Sequence, residues 1–99
     1  MTGTQRTSDG LSARRKKILF RAWHRGMREM DLLLGQFADA MIGDLTEEQL
    51  DTLELLMELP DRDVLAWLTN EKETPTNYQS DVFEKIIMFH HRKSALSNT

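Results

Sequence analysis

The sequence has no cysteine, few aromatic residues, five scattered glycines and no apolar run approaching the ~18–20 residues that a membrane-spanning helix needs. Without cysteine there is no disulfide framework, no thiolate zinc site and no cysteine nucleophile, a composition that a reducing compartment permits. The glycines form neither a Walker loop nor a dinucleotide-binding fingerprint, so a flavin or phosphate cradle within this chain is not expected. Strand signals are missing too: apolar and polar residues do not alternate over a useful length, and Asn-Gly is absent. Lacking a long apolar run, the chain is expected to be soluble.

What is present is short and charged. Ninety-nine residues make one domain, with a radius of gyration near ~13 Å if compact. A chain of this size buries only about 60–65% of its unfolded surface, and 39% apolar residues give a small core, so a deep catalytic cavity is not expected. The net charge of −3 hides an asymmetry: residues 1–28 hold eight Lys or Arg against Asp9 alone, so +7, leaving −10 for the remainder. A basic arm for nucleic acid or anionic lipid competes with a charged helical surface that orients a docking partner. The acidic remainder would repel phosphates, and only residues 14–17 form a true basic cluster, so nucleic acid is the weaker reading.

Residues 1–11 are read as a disordered basic tail, residues 12–93 as a single helical domain and residues 94–99 as a polar C-terminal tail. The Thr-, Ser-, Gly- and Arg-rich start has a transit-peptide flavour but no processing signal. From about Ser12 the pattern is helical, with Ile18, Leu19, Ala22 and Trp23 on one face and Arg14, Lys17 and Arg21 on another; Gly26 is expected to end this helix. Phe20 and Arg21 fall outside the apolar stripe and are candidate contact residues. Met27, Met30, Leu34, Phe37 and Met41 follow a three-four spacing and define the core spine of a second helix, with Glu29 and Asp31 in its first turn and Gly43 as a stop. Gly35, mid-helix, costs about 1 kcal/mol relative to Ala and is expected to permit close packing.

Thr46-Glu47-Glu48-Gln49 reads as a capping box that opens a third helix, with Leu50, Leu53, Leu56 and Met57 inward. Its carboxylates, Glu47, Glu48, Asp51, Glu54 and Glu58, are read as a solvated surface. Pro60 breaks that helix and Asp61 is expected to cap a fourth, with Val64, Leu65 and Leu68 inward and Trp67 at the edge. After a polar loop over residues 70–77, Val82, Phe83, Ile86, Ile87 and His90 mark a fifth helix that frays through His91, Arg92 and Lys93. The fold class is therefore all-α, a small antiparallel bundle of five short helices.

No constellation of catalytic residues assembles. His90 and His91 are adjacent and point about 100° apart on a helix, and His24 is distant, so a metal site is disfavoured. The stretch Arg25-Gly26-Met27-Arg28-Glu29 stands out instead: in a helix Arg25 and Glu29 would share a face, and Gly26 would leave that face bare for close backbone approach. The string Arg25 to Asp31, followed by Leu32-Leu33-Leu34-Gly35 and Phe37-Ala38-Asp39, resembles the small flavinylation factor of succinate dehydrogenase, the SdhE family of FAD assembly factors. The resemblance continues through Leu45-Thr46-Glu47-Glu48-Gln49, Leu59-Pro60-Asp61, Trp67 and the late helix around Ile86, and covers residues 15–90 in order.

The resemblance implies a chaperone-like helper and not an enzyme. Such factors bind the flavoprotein subunit of succinate dehydrogenase, and in bacteria that of fumarate reductase, and promote covalent attachment of FAD to one of its histidines. The family's Arg-Gly-x-x-Glu signature falls on Arg25, Gly26 and Glu29, and Met27, Arg28 and Asp31 match the common bacterial version. With Phe20 and Arg21 these make the expected partner-binding surface. No cofactor is expected to be held stably by this chain, since FAD belongs to the partner. A monomer in the bacterial cytoplasm or the mitochondrial matrix is expected. A regulatory module, such as an antitoxin-like partner, is the alternative from another class, and a metal-dependent helical enzyme using His24, His90 or His91 is a third. Gly26→Arg is expected to abolish binding while leaving the bundle folded.

Overall fold

The stripe that spaces Ile18, Leu19, Ala22 and Trp23 along one face becomes the buried side of helix α1, Ala13–Trp23, in a computed structural model that describes residues 10–97, with side chains through Arg92. Four more helices follow: α2 (Arg28–Met41), α3 (Glu47–Glu58), α4 (Asp61–Leu68) and α5 (Asp81–Ser97), with a single 3-10 turn at Thr76–Tyr78. No strand occurs among the described residues. The chain is an all-α bundle, as the periodicity predicts, and its radius of gyration is 13.0 Å, the value of a compact chain of this length.

A four-residue link joins α1 to α2, which makes them an antiparallel hairpin with the most extensive packing in the molecule. Helix α5 closes the bundle against α2 and α3, while α4 packs on α2. Met30, Leu34, Phe37 and Ala38 of α2 are buried at the centre, with Met27 and Met41 half-buried at its ends. They meet Ile18 and Ala22 of α1, Leu50, Leu53, Leu56 and Met57 of α3, Val64 of α4, and Val82, Phe83 and Ile86 of α5. Gly35 allows a close approach of α1 to α2, because a Cβ there would stand 2.5 Å from Cδ2 of Trp23.

The helix ends have identifiable causes. Ser12 caps α1 by accepting from the backbone N–H of Arg15. At α3 the capping box forms: Thr46 accepts from the Gln49 N–H at 3.1 Å and Gln49 Oε1 accepts from the Thr46 N–H at 2.9 Å. Gln49 does a second job, since its amide nitrogen donates at 2.8 Å to Asp81 at the start of α5. That bond, with help from the Val82 N–H, holds the Asp81 carboxyl below the usual carboxylate range. Thr46→Ala should therefore lower stability by about 1 kcal/mol, or about 4–8 °C in the midpoint of a thermal melt. An unchanged melt would show that the box adds nothing beyond what water supplies.

Several boundaries differ from the sequence expectation. Helix α1 stops at Trp23, not at Gly26, because the ring Nδ1–H of His24 donates at 2.7 Å to the Phe20 carbonyl and takes an acceptor that continuing the helix would use. Asp61 is not a cap: Pro60 occupies that position, and the Asp61 side chain turns to Arg25. Helix α5 continues to Ser97 instead of fraying before Ser94, as Ala95 and Leu96 favour helix and no Pro or Gly interrupts. Leu11, placed in the tail, packs half-buried against the core, and residues 1–9, 98 and 99 lie outside the described residues. Ala66 is the buried residue of α4 that the pattern missed, and Trp67 sits half-buried, stacked on Tyr78 at 5.4 Å. Helix α4 ends on Asn70 at φ 63°, with Glu71 N–H bonded to Ala66 O and Asn70 N–H to Trp67 O, a Schellman closure.

Candidate docking surface at the first helical corner

The link between α1 and α2 carries the Arg-Gly-x-x-Glu string, and its backbone is not helical: Gly26 has φ +96° and Met27 is extended at φ −123°. Arg25 therefore does not share a helical face with Glu29. Its guanidinium points the other way, to Asp61, with Nη2 at 2.9 Å and Nε at 3.1 Å from the same carboxylate oxygen. Nη2 also donates to the Met57 carbonyl, one of the open acceptors near the end of α3. The Arg25 side chain is 13% exposed and that of Asp61 17%, so this ion pair belongs to the body of the bundle.

Asp31 is engaged as well, accepting from the Arg25 backbone N–H at 2.5 Å. Two of the eight expected contact residues, Arg25 and Asp31, are thus internal struts that fix the corner between α2 and the α3–α4 junction. Asp61 and the Met57 carbonyl are the missing members of the corner. Nothing in local spacing joins them to Arg25 across 36 and 32 residues, so sequence periodicity could not find them.

Of the remaining residues, Met27 packs against the core and the others reach the surface. Gly26, Arg28 and Glu29 are exposed, and Met27 and Arg21 are half-buried. A Cβ built on Gly26 would meet nothing within 4 Å, so the space around it is open and only its backbone conformation requires glycine. Phe20 is 63% exposed and stacks on His24, with ring centroids 4.1 Å apart and planes at 18°. This i, i+4 aromatic pair ends α1 in a flat, exposed plate, with His24 two residues before Gly26 in the chain.

Two residues of the basic cluster at the start of the domain, Arg14 and Arg15, are engaged by other parts of the molecule, while Lys16 and Lys17 are exposed. Arg14 bonds Glu47 at 2.9 Å, Asp51 at 2.5 Å and Glu54 at 2.6 Å, while Arg15 reaches the Ile42 carbonyl at 2.5 Å and Glu47 at 3.3 Å. The Glu54 and Asp51 carboxylates hold the Arg14 guanidinium protonated well above its ordinary range. The acids of α3 are accordingly not all a solvated surface: three of the five clamp α1. Among the described residues no group of three His, Asp or Glu is placed to hold a metal ion, and His90 Nε2–H donates at 2.7 Å to the Leu33 carbonyl. No described helix is long and apolar enough to cross a membrane.

The family model described as the flavinator of succinate dehydrogenase matches residues 16–90, from the first turns of α1 through His90 of α5. The chain belongs to this family. It is 40% identical over 85 residues to the mitochondrial succinate dehydrogenase assembly factor 2 of Dictyostelium discoideum, covering 86% of this chain and 60% of that protein. It is 34% identical over 79 residues to the FAD assembly factor SdhE of Acetobacter pasteurianus, covering 80% of this chain and 72% of that one. It is 32% identical over 87 residues to the mitochondrial succinate dehydrogenase assembly factor 2 of Danio rerio, covering 86% of this chain and 55% of that protein. The flavinator match contains the whole corner, including Arg25, Asp61 and the exposed Gly26 surface.

Proposed function

We propose that this chain binds the flavoprotein subunit of succinate dehydrogenase and promotes covalent attachment of FAD to it, with the corner Phe20, His24, Gly26, Arg28 and Glu29 as the docking surface. The observation that carries the reading is the flavinator match across α1 to α5, joined to an exposed surface around Gly26. The fumarate reductase subunit is a second client in bacteria. The chain acts as a monomer in the bacterial cytoplasm or mitochondrial matrix, and FAD stays with the client.

FAD bound to the client would supply the electrophile: loss of a proton from a methyl group of the isoalloxazine would open that carbon to addition by a client histidine, the ring would take up the electron pair as reduced flavin, and dioxygen would reoxidise it. The reacting groups are the cofactor's and the client's, so a small protein accelerates the step by fixing their geometry. A misplacement near 1 Å costs about 10²-fold in rate. Arg25 serves as a positioning residue, holding the Gly26 backbone and the first turn of α2 in one place, so that Arg28 and Glu29 meet polar groups of the client without rearrangement.

The test uses apo flavoprotein subunit, FAD and this chain, with covalent flavin read as fluorescence on a denaturing gel. Gly26→Arg should reduce the attachment rate by about 10²-fold. Because the φ of +96° strains any side chain by about 1–2 kcal/mol, Gly26→Ala is the necessary companion. The alanine variant should be destabilised to the same extent yet keep most of its activity. Equal loss in both variants would make Gly26 a backbone requirement and sink the docking role, and failure of the unsubstituted chain to accelerate attachment would sink the function.

A further inference from the structure

Residues 29–99 carry fifteen Asp or Glu and only five Lys or Arg, and three of those five, Lys85, Arg92 and Lys93, fall within nine residues of α5. Along this stretch, between α2 and α5, runs a groove of about 390 Å³. Phe37 and Phe89 line it with rings edge to face at 5.9 Å, and Met41 and Met88 complete the apolar lining. Met88 is 54% exposed, whereas the apolar residues before it on α5, from Val82 to Ile87, are buried or half-buried. Lys85 and Arg92 stand at the rim with Glu84. On α5 Lys85, Met88 and Arg92 are three and four residues apart, so the methionine lies in one stripe with a cation on either side. Arg92 makes no ion pair with any described residue, and Lys85 has Asp81 one turn before it.

We propose that this groove is a second docking surface, built for an acidic amphipathic helical segment of a partner protein. Apolar side chains of the segment sit on Met41, Met88 and Phe89, which cover the buried ring of Phe37, and its carboxylates face Lys85 and Arg92. The two methionines supply flexible, polarizable walls that adapt to differently shaped anchors. Charge decides the class of occupant. A basic segment would meet two cations at the rim against the one carboxylate of Glu84. An acidic segment is attracted to Lys85 and Arg92 at this rim, while the acids that dominate residues 29–84 disfavour it on the neighbouring surface. Met41 lies thirteen residues along α2 from Arg28, about 20 Å at the helical rise, so the groove and the Gly26 corner are separate surfaces.

The test uses a fluorescein-labelled helical peptide of about fifteen residues, with Leu at i, i+3, i+4 and i+7 and Glu on its polar face, together with its Lys-for-Glu counterpart, by anisotropy at low salt. The Glu peptide should bind saturably and about tenfold more tightly than the Lys peptide, and raising the salt should erase the difference. The double variant Lys85→Glu with Arg92→Glu should weaken the Glu peptide about tenfold, and Met88→Asp by a similar factor. Gly26→Arg should leave this binding unchanged, which separates the groove from the corner. All three altered positions of the groove are exposed, so circular dichroism should report intact folds. Absence of saturation, equal or tighter binding of the Lys peptide, or indifference to both variants would overturn the proposal.

Discussion

Arg25→Ala will destabilise the bundle by about 2–3 kcal/mol, lowering the thermal midpoint by about 10–20 °C. The truncation removes more than a surface pair. It leaves the Asp61 carboxylate, 17% exposed, without its cation, and it leaves the Met57 carbonyl near the end of α3 without a donor. Groups stranded in this way lose their hydration and receive nothing in exchange, which is why the loss exceeds the ~0–1 kcal/mol of an exposed salt bridge. For a domain whose total stability is roughly 5–10 kcal/mol, that is a substantial share. Arg25→Lys should recover only part of it, because an ammonium cannot bond Asp61 through two nitrogens while reaching Met57. The same variants separate two roles for Arg25 in flavinylation. As a positioning residue it acts through Asp61, so Asp61→Asn should slow FAD attachment nearly as much as Arg25→Ala, and the double variant should add little. If Asp61→Asn leaves the attachment rate unchanged while Arg25→Ala removes it, Arg25 touches the client directly.

This strut marks the boundary of what local pattern can reveal. The five helices are legible because each has its own periodicity, and the Thr46 capping box is legible because its two partners are three residues apart. Gly35 could be read as a site of close packing because a glycine inside a helix needs a reason. Arg25 could not be read correctly. A four-residue spacing to Glu29 matches a helical pair, but Gly26 at φ +96° takes the chain out of helix between them, and the true partner is on α4. The acids of α3 failed in the same way: their solvated appearance within α3 hid the reach of Arg14 from α1. In both cases the interaction is tertiary, with separations of 32 to 40 residues, and sequence spacing carries no information about it. The exposed part of the corner, by contrast, is expected from the resemblance, and the structure leaves Gly26, Arg28 and Glu29 open to a partner.

Gly35→Val should be more damaging still, costing about 3 kcal/mol or more, with Gly35→Ala at about 1–2 kcal/mol in the same direction. The sign of the alanine change is the informative part. In an open helix Gly→Ala stabilises by about 1 kcal/mol, so a loss requires the packing clash to exceed that gain. Here the new Cβ would stand 2.5, 2.6 and 2.9 Å from three atoms of the Trp23 indole, closer than carbon atoms pack. The indole has little room to yield: it is a rigid bicycle, 8% exposed, and Trp23 is the last residue of α1. Displacing it also shifts its immediate neighbours in the chain, the His24 plate and the Gly26 turn, so both Gly35 variants should slow FAD attachment through a site that they do not touch. Trp23→Leu supplies the decisive background. With the fused ring gone, Gly35→Ala should become neutral or stabilising, and the cycle should show a coupling of about 2 kcal/mol. A Gly35→Ala variant that melts higher than the unsubstituted chain would mean that the two helices can separate without cost, and the corner would then lack the rigid α1–α2 seam on which its geometry depends.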